Sequence, residues 1–395
     1  MSPSLKLRKS GFTLVEMLVS VAVMVLILTF IAQLMDSVTL STGLSGRHVD
    51  ADNQARTVFD RMSNDFADMP QRKDMDFLFE KPTATGMGAD LSGKMFFYSE
   101  APAFIGLSNS SLFPAPSGNG AAADPKSSLA LIGYCINTGI ANAGVNTPPP
   151  YCLQRLSKLM TWDGNFPASN GYGGIAFLTF PTGSNTPFLA TTLAGNPATA
   201  TAVGNAPNYS GTDPGFDVLS SEVFRMEFCF QVKDLSVPGR IGVAYSNYPI
   251  AQCGSAGTNK TTLQSGDPPA VGGSAGDRWY NTADNRAFIC TNATSSSATW
   301  APNGLADVNA IVVAIAILDS NTRKVITPAQ IQSAAARLSD FAEPTAPSAT
   351  ATLMETNWEA AVNQASPSFA SVAGIPTAAA GQIRIYQRYF FLNNH

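Results

Sequence analysis

KSGFTLVEMLVSVAVMVLILTFIAQLM, residues 9–35, decides the architecture of this chain. A short basic stretch (Lys6, Arg8, Lys9) leads to Gly11 and Phe12. An apolar run from Leu14 to Leu34 follows, and its only charged residue is Glu16. About 20 helical residues cover a bilayer core of roughly 30 Å, and this run has that length. Ser20, Thr29 and Gln33 are its other polar side chains. Ser and Thr can bond back to the backbone, so a helix here satisfies its own peptide groups in lipid. The basic residues all precede the run, which places the N-terminus in the cytoplasm and the remainder outside. The reading is a single membrane span over residues 12–35.

Three readings compete for the segment. A cleaved secretory signal would share the basic start. The apolar run is long for one, however, and ends in Gln33-Leu34-Met35-Asp36 with no small-x-small cleavage site. A plain single-pass anchor explains the hydrophobicity but neither Glu16 nor the Gly11-Phe12 junction. An ionised carboxylate within a membrane helix is costly and asks for a partner.

The third reading comes from a resemblance. Gly11-Phe12-Thr13-Leu14-Val15-Glu16 resembles the type III signal of type IV pilins and type II secretion pseudopilins. The resemblance implies that a prepilin peptidase cuts between Gly11 and Phe12 and that the new amine of Phe12 is N-methylated. It also implies that the mature helix packs with copies of itself in a filament core. Glu16 would then lie near the positive amine of Phe12 on a neighbouring subunit. Such pairing offsets the desolvation that makes a lone buried charge unfavourable.

Composition agrees with an extracytoplasmic β-rich head. The chain has 395 residues, enough for an anchor and a large domain or two smaller ones. Charged residues make 13% and the net charge is −4, so no basic face suggests nucleic acid. The five cysteines (Cys135, Cys152, Cys229, Cys253, Cys290) show no CxxC and no Cys/His metal spacing. In an oxidising compartment the local disulfide choices are Cys135 with Cys152 and Cys229 with Cys253. Buried unpaired thiols are the other reading, and the odd count leaves at least one thiol either way.

Pro70 is the first proline after the leader and predicts the end of a long N-terminal helix over residues 12–69. Ala55, Val58, Phe59, Met62 and Phe66 recur at helical spacing and predict a core-facing stripe. Asp52, Arg56 and Asp60 stand four apart on the outer face. Gly43 and Gly46 predict a bend or local melting. Residues 70–395 read as the head. Strands are expected over 94–99, 128–136, 174–180, 223–232, 310–318 and 383–392. In 223–232, Phe224, Met226, Phe228, Phe230 and Val232 share one face, while Arg225, Glu227 and Gln231 point the other way. Residues 327–341 read as a helix with Thr327 as cap and Pro328 in its first turn. Long loops are expected over 101–126, 140–150 and 182–214. Residues 276–300 read as a small β-hairpin insertion with a turn at Thr282–Asn285, reached through a linker-like run at 255–273. Its Trp279, Tyr280 and Trp300 fit a miniature core better than a glycan-stacking patch. This segment resembles a small module found in phage tail and other extracellular proteins.

The order of elements beyond the signal resembles the larger minor pilins and pseudopilins of the J and W type. Tyr134 in a strand, the run Tyr151-Cys152-Leu153-Gln154-Arg155, the 223–232 and 310–319 strands and the final aromatic strand carry that likeness. Residues 45–81 also resemble the prepilin-type group catalogued as Verru_Chthon cassette protein C.

No catalytic constellation stands out. The two histidines are His48 on the long helix and His395 at the last position. There is no P-loop or Rossmann fingerprint. Asp74 with Asp76, or Asp213 with Asp217, could meet calcium, but neither matches an EF-hand loop, and solvated carboxylates are the reading kept. The expectation is therefore an α+β protein with a long N-terminal transmembrane helix docked on a β-rich pilin-like head with large loop insertions. It is expected to be a non-enzymatic minor pilin or pseudopilin, without cofactor or metal. Its partners would be the prepilin peptidase, other pilin or pseudopilin subunits and inner-membrane lipid, with the head in the periplasm or on the cell surface. The alternative is a membrane-anchored adhesion or binding module that forms no filament.

Overall fold

The apolar run opens one helix, α1 (Leu14–Ala67). The computed structural model describes residues 13–70, 72–73, 75, 77–81, 91–100, 103–104, 126–127, 129–137, 151–161, 175–176, 216–236, 242–254, 259–283, 285–294, 296–342 and 353–392. Of the bend or local melting expected at Gly43 and Gly46, the melting is absent: α1 stays helical through both. Each glycine costs a helix interior about 1 kcal/mol, which a helix of 54 residues absorbs. The chain divides into two compact units, Met1–Asp52 and Asn53–His395.

In the first unit, the stretch Leu14–Thr39 is long and apolar enough to cross a membrane, and none of it is buried by the protein itself. Its hydroxyls turn inward on the helix. Ser20 Oγ donates to the Met17 carbonyl at 2.9 Å and Thr29 Oγ1 to the Leu26 carbonyl at 2.7 Å. Between Met17 and Ala32 this leaves an apolar surface, which is stable in lipid and costly in water.

In the second unit, the expected stripe is the core face of α1. Ala55, Val58, Phe59, Met62 and Phe66 are all buried. Phe66 stacks on Phe97 at 4.7 Å between ring centroids and meets Phe390 at 5.1 Å. Such pairs add about 0.5–1.5 kcal/mol each beyond their area. The helix stops at Ala67, three residues short of Pro70, which lacks the N–H to continue it.

The strands are β1 (Leu78–Glu80), β2 (Lys94–Ser99), β3 (Ala103–Phe104), β4 (Lys126–Ser127), β5 (Ala130–Ile136), β6 (Leu153–Thr161), β7 (Ile175–Ala176), β8 (Phe216–Ser220) and β9 (Val223–Leu235). They continue with β10 (Gly242–Ser246), β11 (Gln252–Cys253), β12 (Thr261–Gln264), β13 (Arg278–Asn281), β14 (Arg286–Ala293), β15 (Ala298–Pro302), β16 (Val308–Ile317) and β17 (Arg384–Phe391). Among the described residues they form three larger sheets and the small pair β3–β4. The first sheet has the order β1-β2-β5-β6-β7, with β8 also on β6. The second has the order β10-β9-β16-β17, with β11 on β9. The third is β12-β13-β14-β15.

The apolar run at 310–318 is the buried middle strand β16, antiparallel to both β9 and β17. A strand covered on both faces reads as a continuous apolar run, whereas a half-exposed one alternates. In the first sheet, Gly133 lies opposite Phe96. A Cβ at Gly133 would stand 2.4 Å from the Phe96 ring, so this aromatic packs against bare backbone.

Several expectations change. The helix expected over 327–341 shrinks to α3 (Pro328–Ala335), preceded by a helix the sequence did not announce, α2 (Ser320–Val325). Thr327 does cap α3, in a box with Gln330. Past Ala335 the bonds tighten to three-residue spacing (Arg337 N–H to Ala334 O, Leu338 N–H to Ala335 O), and the chain carries Leu338 and Phe341 into the core. Three more unannounced helices follow: α4 (Met354–Val362), α5 (Phe369–Ala373) and α6 (Thr377–Ala380). Of the strand expected over 174–180, the described part is the short β7. The insertion is larger than a hairpin. The β13–β14 hairpin turns at Thr282–Asn285 as expected, with β15 on one side and β12, from the linker-like run, parallel on the other. Most of the three long loops lies outside the described residues.

Candidate functional site

The start of α1 has a defined geometry. Glu16 Oε2 accepts the Thr13 backbone N–H at 2.9 Å and the Thr13 hydroxyl at 3.0 Å. The Glu16 N–H in turn reaches Thr13 Oγ1 at 3.3 Å. This is the reciprocal capping box of a Thr-x-x-Glu sequence. Two N–H groups that have no partner within the helix are satisfied, and the carboxylate sits in the first turn, where the helix dipole favours negative charge. The sequence reading looked for a partner on another molecule and missed this first one, although the T-x-x-E pattern is visible at 13–16. Both side-chain bonds use Oε2. Among the described residues Oε1 carries no hydrogen bond. Gly11 and Phe12 lie outside the described residues.

The last turns of α1 present a second polar cluster, within the other unit. Asp65 is 1% exposed and faces the first sheet. Arg155 on β6 forks onto it, Nε to Oδ2 at 2.6 Å and Nη2 to Oδ1 at 2.8 Å. The Tyr134 hydroxyl on β5 donates to the same Oδ2. Tyr134 and Arg155 face one another across the β5–β6 ladder, so the register brings both to one carboxylate. Burial pushes the Tyr134 phenol well above its ordinary value, and the Asp65 charge adds to the shift. The phenol therefore stays a proton donor to Asp65. This is a docking latch between helix and sheet.

The remaining singled-out residues fall elsewhere. Cys135, Cys152, Cys229 and Cys290 are buried thiols, and Cys253 is a half-buried one. Cys253 lies beside Leu235, six residues along β9 from Cys229. Six strand residues span roughly 20 Å, and a disulfide needs Cα atoms within about 7 Å. The β9–β11 register thus keeps Cys229 and Cys253 apart. Cys135 faces Gln154, which puts Cys152 one diagonal step away, where Cα atoms stand about 7–8 Å apart.

In the insertion, Tyr280 is buried with Ile250 and Ala287 beside Tyr248. Trp279 and Trp300 meet edge to face at 6.1 Å. Their indole N–H groups bond the carbonyls of Gly266 and Pro269 at 2.9 and 3.0 Å. They staple the adjoining loop. His48 lies on α1, and His395 is outside the described residues. Asp217 is on β8, while Asp74, Asp76 and Asp213 fall outside the described set. No group of three or more metal-ligating side chains occurs among the described residues.

Comparison with known proteins bears on the N-terminus alone. Residues 6–32 match the family model of the prokaryotic N-terminal methylation motif, which marks a type IV prepilin-like N-terminus. Searches of curated proteins and of solved structures return no match.

Proposed function

We propose that the chain is a structural subunit, a minor pilin or pseudopilin, of a type IV pilus or type II secretion filament. The methylation motif supports a pilin-like protein cut by prepilin peptidase and assembled with other pilins. In this reading the cut falls between Gly11 and Phe12, the Phe12 amine is methylated, and the leader is residues 1–11. The anchor then holds the protein in the inner membrane until assembly, with residues 70–395 as a periplasmic head.

One observation carries the assembly step: among the described residues, Glu16 is tied to its own helix through Oε2 alone. Thr13 keeps its N–H and hydroxyl after a cut at Gly11, so the capping box survives processing. It lowers the cost of carrying a carboxylate into lipid in the unassembled subunit. Oε1 then receives the Phe12 amine of a neighbour, and the charge is paired without breaking the cap. Axial register follows, because only one stagger brings amine and carboxylate together. A Glu16→Ala variant expressed with the other subunits tests this. The expected result is normal membrane insertion and leader removal, with the protein missing from sheared filaments. Recovery of the variant in filaments at the wild-type level would overturn the pairing.

A further inference from the structure

The head carries a second charged cluster that neither the membrane anchor nor the Asp65 latch uses. Lys81 follows β1, at the edge of the first sheet, and Asn247 follows β10, at the edge of the second. Lys81 Nζ lies 2.5 Å from Asn247 Oδ1 and 2.9 Å from Glu227 Oε1. Glu227 is on β9 and fully buried. The amine sits 5.2 Å from the ring centroid of Phe228 and 5.8 Å from that of Phe341. Asn247 Nδ2 donates to the Phe341 carbonyl at 3.2 Å, which fixes the plane of the carboxamide.

We propose that this is a self-acting cross-linking site: Lys81 Nζ attacks Asn247 Cγ, and an isopeptide bond forms between the two side chains. The Nζ–Cγ bond forms and the Cγ–Nδ2 bond breaks. One molecule of ammonia leaves, nothing is oxidised or reduced, and no cofactor is consumed. Glu227 is the catalytic acid–base. Its carboxylate takes a proton from the Lys81 ammonium, which leaves a neutral nucleophile, and returns it to Nδ2 as ammonia departs; it then takes the second proton from Nζ, and that proton leaves with the ammonia as ammonium.

Several features of the site favour this chemistry over a plain ion pair. Glu227 Oε1 makes no aligned hydrogen bond, so its contact with Lys81 is charge against charge. Burial penalises the charged form of a carboxylate and favours its taking up a proton. Burial does push the Glu227 carboxyl above its ordinary value, against the opposing pull of Lys81 and Arg225; Asp340 pushes it the same way as burial. A desolvated lysine is a competent nucleophile. Its hold on Oδ1 places it one bond from Cγ, within the reach where proximity replaces a bimolecular encounter. The product would tie the two sheet edges together across 166 residues of chain. The site lies wholly in the head and does not depend on the filament reading.

The test is tryptic digestion and tandem mass spectrometry of the purified full chain. Lys81 falls in the peptide 74–94, because Pro82 blocks cleavage after it, and Asn247 falls in 241–260. The expected product is these two peptides joined through Lys81 and Asn247 and lighter than their sum by one ammonia. Lys81→Arg and Asn247→Ala should each release them unlinked. Glu227→Gln keeps both reacting groups and should lower the linked fraction at least tenfold. Two separate wild-type peptides, with Asn247 intact or hydrolysed to aspartate, would overturn the proposal. A wild-type level of linkage in Glu227→Gln would overturn the part given to Glu227. The wild-type digest decides the main question even where a variant fails to fold.

Discussion

Replacing Asp65 by alanine should destabilise the head far more than an ordinary surface change. Among the described residues Asp65 is the carboxylate onto which the Arg155 guanidinium forks, and it accepts the Tyr134 phenol as well. The Arg155 side chain is only 10% exposed, so the variant leaves an almost dry cation without its counter-charge. Removing one partner of such a pair costs about 3–5 kcal/mol. Arg61 also contacts Asp65, at 3.8 Å, but its side chain is 46% exposed and the contact adds little. Unfolding entropy near 2.1 cal/mol/K per residue, taken over the Asn53–His395 unit, turns that loss into a drop of about 4–7 °C in Tm. The assay is thermal unfolding of the detergent-solubilised full chain followed by circular dichroism. The control is Asp65→Leu with Arg155→Met. Replacing a buried ion pair by apolar groups of similar size is often neutral, so the double variant should regain most of the loss. A single variant within 1 °C of wild type would refute the latch. A double variant no better than the single one would refute the claim that the unpaired cation carries the cost.

Two further outcomes follow from titrating groups. Burial raises the Glu227 carboxyl above its ordinary value of 4.5 in the folded state. The folded chain therefore holds a proton that the unfolded chain has lost, and stability falls as pH rises above 4.5 toward the folded value. The difference in Tm between wild type and Glu227→Gln should shift against wild type as pH climbs through that window; a pH-independent difference would contradict the burial of a carboxylic acid there. Burial pushes the Cys152 thiol up to about 11 and the Cys229 thiol up to about 12. The folded chain should resist iodoacetamide at both for hours at pH 8, and half-buried Cys253 should be labelled first. Rapid labelling of Cys229 would contradict the packing of β9 against β16.

The parts of the fold that were legible share a cause. The strands at 94–99, 223–232, 310–318 and 383–392 are long runs, buried on one or both faces, and each gives many residues to a single pattern. The stripe from Ala55 to Phe66 is legible in the same way. Helices α2 and α4–α6 span only four to nine residues, too few to establish a period. Alternation along β9 placed Arg225 and Glu227 on the face opposite Phe224 and Met226, but could not say that this face is covered too. Both side chains are buried, with Arg225 bonded to the Leu338 carbonyl and Asp340 and lying 5.6 Å from the Trp358 ring centroid. Burial of a second face depends on an element more than 100 residues away, which no local pattern encodes.

At the candidate sites the same division holds. Glu16 was conspicuous because a carboxylate is misplaced in an apolar run, and its tie to Thr13 was readable three residues upstream. The partners of Asp65 sit 69 and 90 residues along the chain, and only the register of β5 against β6 assembles them. Lys81 and Asn247 are in the same position, since a lone lysine and a lone asparagine carry no signal until two sheet edges bring them together.

The central proposal is that the prepilin-like N-terminus of this chain is processed as a prepilin's, and the mass of its mature N-terminal peptide tests it most directly. Protein recovered from the envelope of cells that hold the peptidase should begin at Phe12 and carry one added methyl group. The Gly11→Val variant should keep residues 1–11. An intact leader on the assembled protein, or a cut at any other bond, would contradict the account.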